Sequence, residues 1–383
     1  MAHRYDVIVL GCGVMGAAAG AQFARRGART LILDRAAIPG AHGSSHGLSR
    51  FFRTAYFERD EYVPLLQRAG AGWRRLETES GRELLRRTGA LYLGARRPGG
   101  FIDRTLAAAR RFALPCELLD AAQLRTRFEQ FTCPESCIGL LERDAGCLLP
   151  EAAVAAFAEV ALRHSAEVRA HVAVHAWRAS AREVRLDTSA GEFAAEHLVV
   201  CAGPWTAAVC ADLGVTLTVT RQVAAWFWPR RPELFDRKRL PAWAIEFDAG
   251  AGPVIQYGFG LQPEAPGVKT ALHLPGPPID PDDRDRLQPR PDDAESLRVA
   301  LQRFLPEANG PLLALRPCLY TNSPDGHFIL GRHPAHDRVT IACGFSGHGF
   351  KFAPVIGEAL ADLALDGRTD LPVEFMAPTR FSA

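Results

Sequence analysis

The chain has 383 residues, more than one compact core usually holds, so we expect two interleaved domains. Lys and Arg number 45 against 43 Asp and Glu, and a net charge of +2 gives no field that would attract nucleic acid or an anionic membrane. The polar start before Val7 is too short for a signal peptide, and no stretch approaches the ~20 apolar residues of a membrane span. We therefore expect a cytoplasmic protein that binds neither nucleic acid nor a membrane.

The nine cysteines include no CxxC pair. An odd number in a large chain without a secretory signal indicates reduced thiols rather than a disulfide framework. Cys133, Cys137 and Cys147 lie close together in sequence, but no second ligand pair at zinc-finger spacing accompanies them. We expect these cysteines to be small buried apolar residues, and we expect no metal site.

Residues 5–34 predict a strand, a tight turn, a helix and a second strand. The turn fits G-x-G-x-x-G: Gly11 permits the turn, Gly13 lets the backbone approach a pyrophosphate, and Gly16 lets helix and strand pack closely. Asp34 ends the second strand 18 residues after Gly16, where a carboxylate can accept hydrogen bonds from ribose hydroxyls. The unit predicts a bound dinucleotide. An acidic residue here argues against the 2′-phosphate of NADP but does not separate NAD from FAD.

A glycine- and serine-rich loop over residues 38–47 follows and leads to Arg50 and Arg53. Two later stretches, 197–205 and 339–351, again run from a short apolar strand into a glycine turn and then a predicted helix. This form sets a helix N-terminus at the edge of a parallel sheet. We expect the separated segments to join in one nucleotide-binding domain.

Residues from about 220 to 320 alternate apolar and polar side chains in short runs between proline-rich turns. Such alternation is typical of an antiparallel sheet with one solvated face. The Pro- and Asp-rich stretch 274–291 is most simply a surface excursion.

Four stretches carry a resemblance to a known family: Tyr5–Gly13, Gly43–Arg53, Pro317–Tyr320 and Gly344–Phe352. In them the sequence resembles the monomeric sarcosine oxidase and N-methyltryptophan oxidase group of FAD-dependent amine oxidases, and the resemblance covers nearly the whole chain. The last two stretches are the specific ones, because a generic Rossmann flavoprotein needs no cysteine and no lysine at those places. The resemblance implies that the bound dinucleotide is FAD.

The fold expected is α/β, with a Rossmann-type, glutathione-reductase-like FAD-binding domain assembled from separated segments. Beside it we expect a second, α+β substrate domain built on the antiparallel sheet. We assign residues 1–85, 146–219 and 320–383 to the FAD-binding domain, and residues 86–145 and 220–319 to the substrate domain.

Cys318 matches the family cysteine that forms a thioether to the 8-methyl carbon of the isoalloxazine ring. From the residues alone, Cys318 would be interpreted as a buried thiol. The resemblance implies instead that FAD is attached covalently through Cys318.

Four cations match family positions. Arg53 and Lys351 resemble the pair that clamps the substrate carboxylate, for which a guanidinium offers a matched fork of donors and a second cation adds strength where water is excluded. Arg50 and Lys269 resemble the cations placed against the flavin ring, with Lys269 on the side where oxygen reacts. A fixed positive charge there lowers the barrier to electron transfer to dioxygen.

Tyr257 and His273 match family positions that line the substrate cavity. Histidine is the usual candidate for proton transfer near neutral pH. A cationic pocket, however, can favour the neutral amine without any base. Both interpretations of His273, as a base and as a positioning group, therefore stay open.

Two features depart from the sarcosine oxidase pattern. Residues 44–46 are Ser-Ser-His where that pattern has adjacent histidines. Several aromatic residues also stand at strand spacing, where they are more often core than pocket: Trp226, Phe227, Trp228 and Trp243. If some of them face the cavity, a bulky or cyclic N-substituted amino acid fits better than sarcosine.

The function expected is oxidation of the secondary amine of an N-methyl or cyclic α-amino acid to an imine, with O2 reduced to H2O2 and the imine hydrolysed. The catalytic residues expected are Lys269, Arg50, His273 and Tyr257. The substrate contacts expected are Arg53, Lys351 and Tyr257. The FAD contacts expected are Gly11, Gly13, Met15, Gly16, Asp34, Ser44, Ser49, Arg50, Val174, Cys318, Gly347, His348, Gly349, Phe350 and Lys351.

Three other functions are compatible with parts of this pattern. They are an amino-acid dehydrogenase that uses an acceptor other than oxygen, a flavin-binding protein without turnover, and a nicotinamide-only dehydrogenase. The partners expected are a small amino-acid amine and O2, and the expected state is a monomer. Neither the particular amine nor the C–H bond that is oxidised follows from the sequence.

Overall fold

The fold was obtained as a computed structural model that describes residues 3–250, 252–283 and 285–381. Its strands are β1 (His3–Leu10), β2 (Thr30–Leu33), β3 (Arg50–Phe52), β4 (Leu85–Arg86), β5 (Ala90–Ala95), β6 (Cys116–Leu119), β7 (Cys137–Glu142), β8 (Gly146–Leu148), β9 (Glu167–Arg169), β10 (Val174–Ala179), β11 (Val184–Thr188), β12 (Gly191–Val200), β13 (Thr218–Phe227), β14 (Ala242–Asp248), β15 (Pro253–Phe259), β16 (Val268–Leu272), β17 (Leu312–Asn322), β18 (Ile329–His333) and β19 (His336–Cys343). Its α-helices are α1 (Val14–Arg25), α2 (Tyr62–Ser80), α3 (Phe101–Arg111), α4 (Ala121–Arg127), α5 (Pro150–Arg163), α6 (Thr206–Val209), α7 (Asp293–Phe304) and α8 (Ala353–Leu365). No helix in the described ranges is long and apolar enough to cross a bilayer.

The first sheet has the order β10-β11-β12-β1-β2-β9, and β19 with β18 joins it at β12. Strands β9, β2, β1, β12 and β19 run parallel. Val7, Ile8 and Val9 of β1 are completely buried, which is the continuous apolar run expected of a parallel strand covered on both faces. The sheet draws its strands from three separated stretches of sequence, as predicted.

The turn between β1 and α1 depends on its glycines. Gly11 has a φ of +96°, which L side chains rarely adopt. A Cβ on Gly16 would lie 1.8 Å from the carbonyl oxygen of Gly11, so only glycine lets helix and strand approach this closely. Both glycines therefore have the structural roles predicted for them: Gly11 permits the turn, and Gly16 permits the close packing of helix and strand.

The second sheet has the order β17-β13-β16-β15-β14-β5-β7-β6. Neighbouring strands are antiparallel except β14 and β5, which run parallel. The exception lies where strands from the two separated stretches of the expected substrate domain meet, so no hairpin dictates their direction. A small third sheet, β3-β8-β4, lies outside both. The exact domain boundaries given above stay a prediction.

The helix predicted after Trp205 is shorter than expected. Only one α-helical turn forms, α6, preceded by a 3-10 turn over Gly203–Trp205. Cys210 and Leu213 are buried in the core, and Gly214 then takes a φ of +75°. The chain thus turns towards β13 before a longer helix can form.

Candidate active site

One cavity opens where the carboxyl ends of β1, β2, β12 and β19 face strands β13 to β17 of the second sheet. Ligands of open α/β sheets bind outside the carboxyl ends of the parallel strands. The cavity reaches from Asp34 and Trp205 at one end to His273 and Lys351 at the other. The first end is called the cofactor end below and the second the substrate end.

The cofactor end is built on backbone groups held in place by short polar side chains. The backbone N–H of Cys12 donates to Asp34 Oδ2 at 2.7 Å, and that of Ala36 donates to Asp34 Oδ1 at 2.8 Å. At the start of α1, the N–H of Val14 donates to Ser45 Oγ at 3.0 Å. Asp34 therefore fixes the glycine turn in addition to facing the cavity.

The loop that carries residues 44–50 is held from two sides. Glu151, in the first turn of α5, accepts from the N–H of Gly47 at 2.7 Å and from that of Leu48 at 3.2 Å. On the other side, Lys269 Nζ donates to the carbonyl oxygens of Gly47 at 2.7 Å and Ser49 at 2.9 Å. Leu48 has a φ of +66°, an unfavourable conformation that these contacts stabilise.

Lys269 and Arg50 are adjacent cations in this loop region. Lys269 is only 2% exposed, and its burial, with Arg50 nearby, lowers the pKa of its ammonium to about 7. The Arg50 guanidinium donates to the carbonyl oxygens of Ser44 at 2.8 Å and Ser49 at 2.9 Å. It also lies 5.8 Å from the ring centre of Phe350. Arg50 thus brings a permanent positive charge to the middle of the cavity, and Lys269 brings a second one that is lost as pH rises through about 7.

Cys318 lies on β17, opposite Gln222 of β13, and lines the same part of the cavity. Burial raises the pKa of its thiol, while the nearby cations Arg50 and Lys269 act in the opposite direction. Ser44 Oγ donates to the carbonyl oxygen of Leu319 at 2.5 Å, which ties the loop to this strand. The thiol is therefore presented towards the two cations.

Arg53 and Lys351 meet at the substrate end, and both are almost completely buried. Arg53 forms an ion pair with Glu58, a residue that the sequence analysis did not identify. Burial opposes ionisation of Glu58, but the charges of Arg53, His348 and Lys351 lower its pKa to about 2. Glu58 Oε2 is buried and has no hydrogen-bond partner in the described part of the chain.

Lys351 is less well compensated than Arg53. Its Nζ donates to the carbonyl oxygen of His348 at 2.6 Å and to the hydroxyl of Tyr56 at 3.4 Å. Burial and the neighbouring Arg53 hold the pKa of Lys351 well below its usual value, and Glu58 acts in the other direction. An anion that enters the cavity here would favour the charged form of Lys351.

The remaining polar groups of the substrate end are neutral near pH 7. Burial lowers the pKa of His273 to about 4 and that of His348 to about 3. His348 Nε2 donates to the carbonyl oxygen of Gly326 at 3.0 Å, so Nδ1 accepts from the Tyr56 hydroxyl at 2.7 Å. Tyr257 and Tyr320 both line the cavity, and burial raises the pKa of each.

The cavity brings together nearly all of the predicted site residues. Two of them do not line it: Gly16 packs against Gly11, and Ser49 contributes its carbonyl oxygen to Lys269 and Arg50. The residues that line it are Gly11, Gly13, Met15, Asp34, Ser44, Arg50, Arg53, Val174, Tyr257, Lys269, His273, Cys318, Gly347, His348, Gly349, Phe350 and Lys351.

The four aromatic residues considered at strand spacing do not contribute to the cavity, whereas Tyr257, predicted to line it, does. Trp226, Phe227 and Trp243 are completely buried in the core, and Trp228 is exposed. None of the four lines the cavity; the aromatic lining of the substrate end comes mainly from Phe51, Phe57, Tyr92, Phe101, Tyr257 and Tyr320. Phe51 and Tyr320 lie within stretches that carried the family resemblance, whereas Phe57, Tyr92 and Phe101 lie outside them and were marked by no sequence signal.

All nine cysteines are free thiols. The grouping of side chains that could hold a metal ion, within the described ranges, is Asp212, His333 and His336, not the cysteines weighed from sequence. The N–H of Ala335 donates to His333 Nδ1 at 3.1 Å, and His333 Nε2 lies 3.2 Å from Asp212 Oδ1 without a hydrogen bond in the described residues. His336 Nε2 hydrogen-bonds to Asp212 Oδ2 at 2.8 Å.

The donors around the cavity fit FAD. A Cβ on Gly13 would meet only Ser45 Oγ, at 3.2 Å, so the backbone there is open to close approach. Asp34 is available to ribose hydroxyls, and the N-terminus of α1 suits a pyrophosphate. His46 is buried beside the cavity with its Nε2 unpartnered in the described residues, as expected of a group that faces a ligand.

Comparison with known proteins agrees with this geometry. The sequence matches the family described as FAD dependent oxidoreductase over residues 6–363. It is 38% identical to a monomeric sarcosine oxidase of Streptomyces avermitilis, over 100% of this chain and 99% of that protein. It is 33% identical to an N-methyl-L-tryptophan oxidase of Salmonella dublin, over 99% of this chain and 100% of that protein. The solved structure of NikD, an unusual amino acid oxidase essential for nikkomycin biosynthesis, aligns over 98% of both chains with a TM-score of 0.85 and 26% identity.

The fold and the match over most of the chain define an FAD-dependent oxidoreductase. Within that class, the full-length similarity shows that the chain belongs to the family of monomeric sarcosine oxidases and N-methyl-L-tryptophan oxidases. The resemblance and the fold class inferred from the sequence are thereby confirmed.

Proposed function

We propose that this protein oxidises the secondary amine of an N-methyl or cyclic α-amino acid to an imine, with O2 as the electron acceptor. For an N-methyl substrate the balanced reaction is R–NH–CH3 + O2 + H2O → R–NH2 + CH2O + H2O2. FAD, when bound, supplies the two-electron chemistry that links amine oxidation to oxygen reduction. The names of the full-length relatives support this substrate class.

The observation that carries the proposal is the pair of buried cations at the substrate end. Arg53 has Glu58 as its counter-ion, whereas Lys351 is buried with its pKa depressed and lacks a carboxylate of its own. A substrate carboxylate would supply the missing negative charge between the two cations. Its amine and α-carbon would then lie near His273 and Tyr257, which line the same end.

The neutral state of the other groups also suits amine oxidation. With a pKa of about 4, His273 is uncharged near pH 7 and can accept or donate one hydrogen bond at each ring nitrogen. The positive charges of the pocket favour the neutral form of the substrate amine. We therefore assign His273 and Tyr257 to the positioning of the amine.

Lys269 and Arg50 are assigned to the oxygen half of the reaction. Negative charge develops as dioxygen is reduced, and a preorganised cation in a site that excludes water stabilises that charge. The ammonium of Lys269 is held by two carbonyl oxygens and does not need to reorganise. This is the basis for proposing an oxidase rather than a dehydrogenase.

We further propose that Cys318 holds the cofactor covalently and that the protein is a monomer in the cytoplasm. Burial raises the pKa of Cys318, and the nearby cations Arg50 and Lys269 oppose that effect; the position of the thiol at the cavity beside them is what supports covalent attachment. The nine free thiols suit a reducing compartment. The name of the sarcosine oxidase relatives supports a monomer.

The test measures oxygen uptake, peroxide and formaldehyde with the purified holoenzyme and a panel of N-methyl and cyclic amino acids. We expect equimolar peroxide and oxygen uptake, and bleaching of the yellow colour by substrate without air. Absence of both peroxide and bleaching with every member of the panel would overturn the proposed function. Bleaching without peroxide would overturn only the assignment of oxygen as acceptor.

Acid precipitation tests the covalent link separately. The yellow colour should stay with the precipitated wild-type protein and with Cys133→Ser, which changes a half-buried cysteine outside the cavity. It should be released from Cys318→Ser. Release from the wild-type protein would exclude covalent attachment and leave FAD binding intact.

A further inference from the structure

The substrate end contains a row of alternating large and small side chains across four strands. In the register of the second sheet, Ala244 lies beside Tyr92 on one neighbouring strand and Tyr257 on the other, and Tyr257 lies beside Ala271. All four line the cavity. Since neighbouring strands lie only about 4.7–4.9 Å apart, the single methyl group of Ala244 leaves a gap between the two tyrosine side chains on either side of it.

Apolar side chains enclose this gap. Phe101 packs edge to face on Tyr92, with ring centres 5.8 Å apart, and Phe57 packs edge to face on Phe101 at 4.9 Å. Ile255, two residues before Tyr257 on β15, also lines the cavity. We call the space bounded by these residues the apolar slot; its members are Phe57, Tyr92, Phe101, Ala244, Ile255 and Tyr257.

The hydroxyl of Tyr92 is satisfied by the protein, because it donates to Glu142 Oε2 at 2.5 Å. Burial raises the pKa of Tyr257, so its hydroxyl carries no charge near pH 7. The two tyrosines therefore offer ring surface and no charge to a ligand. A charged substituent in the slot would lose its hydration without gaining an opposite charge from any slot residue.

The slot begins next to the proposed carboxylate clamp. The guanidinium carbon of Arg53 lies 4.6 Å from the ring centre of Phe57. A ligand whose carboxylate binds between Arg53 and Lys351 would therefore place its α-carbon beside the slot, and the group attached to that carbon would face the aromatic rings.

We propose that the substrate carries an apolar side chain on its α-carbon, a branched aliphatic or aromatic group that fills the slot, and that Ala244 sets the size of that group. The proposal rests on the proposed function and narrows its substrate class. Sarcosine has only hydrogen at this position and would leave the slot empty. Because apolar contacts discriminate by roughly 10- to 200-fold for each methylene-sized difference, the preference should be large enough to measure.

The experiment compares kcat/KM of the holoenzyme for sarcosine, N-methyl-L-leucine, N-methyl-L-phenylalanine and N-methyl-L-aspartate. We expect one or both apolar substrates to exceed sarcosine and N-methyl-L-aspartate by about tenfold or more. In Ala244→Leu, the ratio of N-methyl-L-phenylalanine to sarcosine should fall at least about tenfold, because the added side chain fills the gap. The control is Ala249→Leu, the same change at an exposed position in the turn of the same hairpin, which should keep the wild-type ratio.

The outcomes separate this inference from the proposed function. Peroxide formation with sarcosine or N-methyl-L-aspartate as the preferred substrate would overturn the apolar slot and leave the oxidase function standing. An unchanged ratio in Ala244→Leu would overturn the role of Ala244 in setting the size of the side chain and would leave the oxidase function standing. If Ala244→Leu does not fold, Phe57→Ala should lower the ratio by removing a wall of the slot. Absence of turnover with all four substrates and the wider panel would overturn both.

Discussion

The two ends of the cavity are built by different means. At the cofactor end, backbone groups of short loops face the cavity, held by Asp34, Ser45 and Glu151. At the substrate end, side chains from neighbouring strands form the surface, and their order follows from strand register. Cofactor binding therefore depends on local turns, while substrate choice depends on single side chains such as Ala244. The substrate can change in such an architecture without disturbing the cofactor.

The cavity also holds its two buried lysines in different ways. The chain has only three lysines among its 45 Lys and Arg, and two of them, Lys269 and Lys351, line the cavity. Lys269 is held by carbonyl oxygens beside Arg50, whereas Lys351 lies beside an internal ion pair, Arg53 with Glu58. An ammonium is compact and its pKa shifts readily on burial, unlike that of a guanidinium. The first lysine suits stabilisation of developing charge, and the second suits binding of a carboxylate.

The largest expected effect tests the part assigned to Lys269, which lies between the two ends of the cavity. Lys269→Met should reduce the rate constant of cofactor reoxidation by O2 about 10²- to 10³-fold, the usual cost of removing one preorganised charge, and reduction by substrate by less than about tenfold. Stopped-flow measurement of the two half-reactions separates them. In the wild type, reoxidation should slow as pH rises through about 7, where the ammonium loses its proton, and this dependence should vanish in the variant.

The control is Lys238→Met, the same change at the exposed third lysine, which should alter neither half-reaction. Equal losses of rate in both half-reactions of Lys269→Met would contradict the assignment of Lys269 to reoxidation by O2.

A smaller effect is expected on stability at the substrate end. Glu58 has a folded-state pKa of about 2, below the ordinary value of about 4.3, so its ion pair stabilises the protein fully above pH 4.3 and less as pH falls towards 2. Glu58→Gln should therefore lower the free energy of unfolding by about 3 kcal/mol at pH 7, and the difference in Tm between the variant and the wild type should shrink below pH 4. Thermal unfolding followed by circular dichroism from pH 7 to pH 3 measures it.

The matched change at the surface is Glu61→Gln, three residues away, where the carboxylate pairs with Arg59 in solvent. That variant should shift Tm little, because exposed pairs contribute little. A pH-independent loss in Glu58→Gln would mean that shape, rather than charge, is what Glu58 contributes.

The smallest effect is expected from Glu151→Gln, which tests the support beneath Lys269. The amide oxygen of glutamine can accept from the N–H of Gly47 or Leu48, but its NH2 group then points at the other N–H. We therefore expect the free energy of unfolding to fall by about 1–3 kcal/mol. Reoxidation by O2 should slow a few-fold, less than in Lys269→Met, because the carbonyl oxygens that hold the ammonium become less ordered. Glu159→Gln, on the same helix but paired with exposed Arg82, serves as control. An unchanged reoxidation rate in Glu151→Gln would show that Lys269 does not depend on this support.

Sequence reasoning succeeded best where chemistry is carried by a local motif. The turn from Gly11 to Gly16 can be predicted from sequence because the backbone geometry that requires its glycines is formed within six residues. Positions at the substrate end came from family resemblance, and the structure brought Arg53, Lys351, Tyr257 and His273 to one end of the cavity. Glu58 was missed because nothing in sequence separates it from other surface-type carboxylates; only burial beside Arg53 does.

By itself the sequence determined that a dinucleotide-binding turn begins the chain, that its segments reunite in one domain, and which family it belongs to. The first two conclusions need only short-range sterics and residue types, and the third needs only the motifs that carry the family resemblance. Only the tertiary structure decided that Trp226 and Trp243 are core, that Asp34 and Glu151 hold loops in place, and that Ala244 lies between Tyr92 and Tyr257. The position of Ala244 depends on strand pairing and register, including a pairing with Tyr92, 152 positions away. A one-residue change of register in β14 would turn Ala244 to the other face of the sheet.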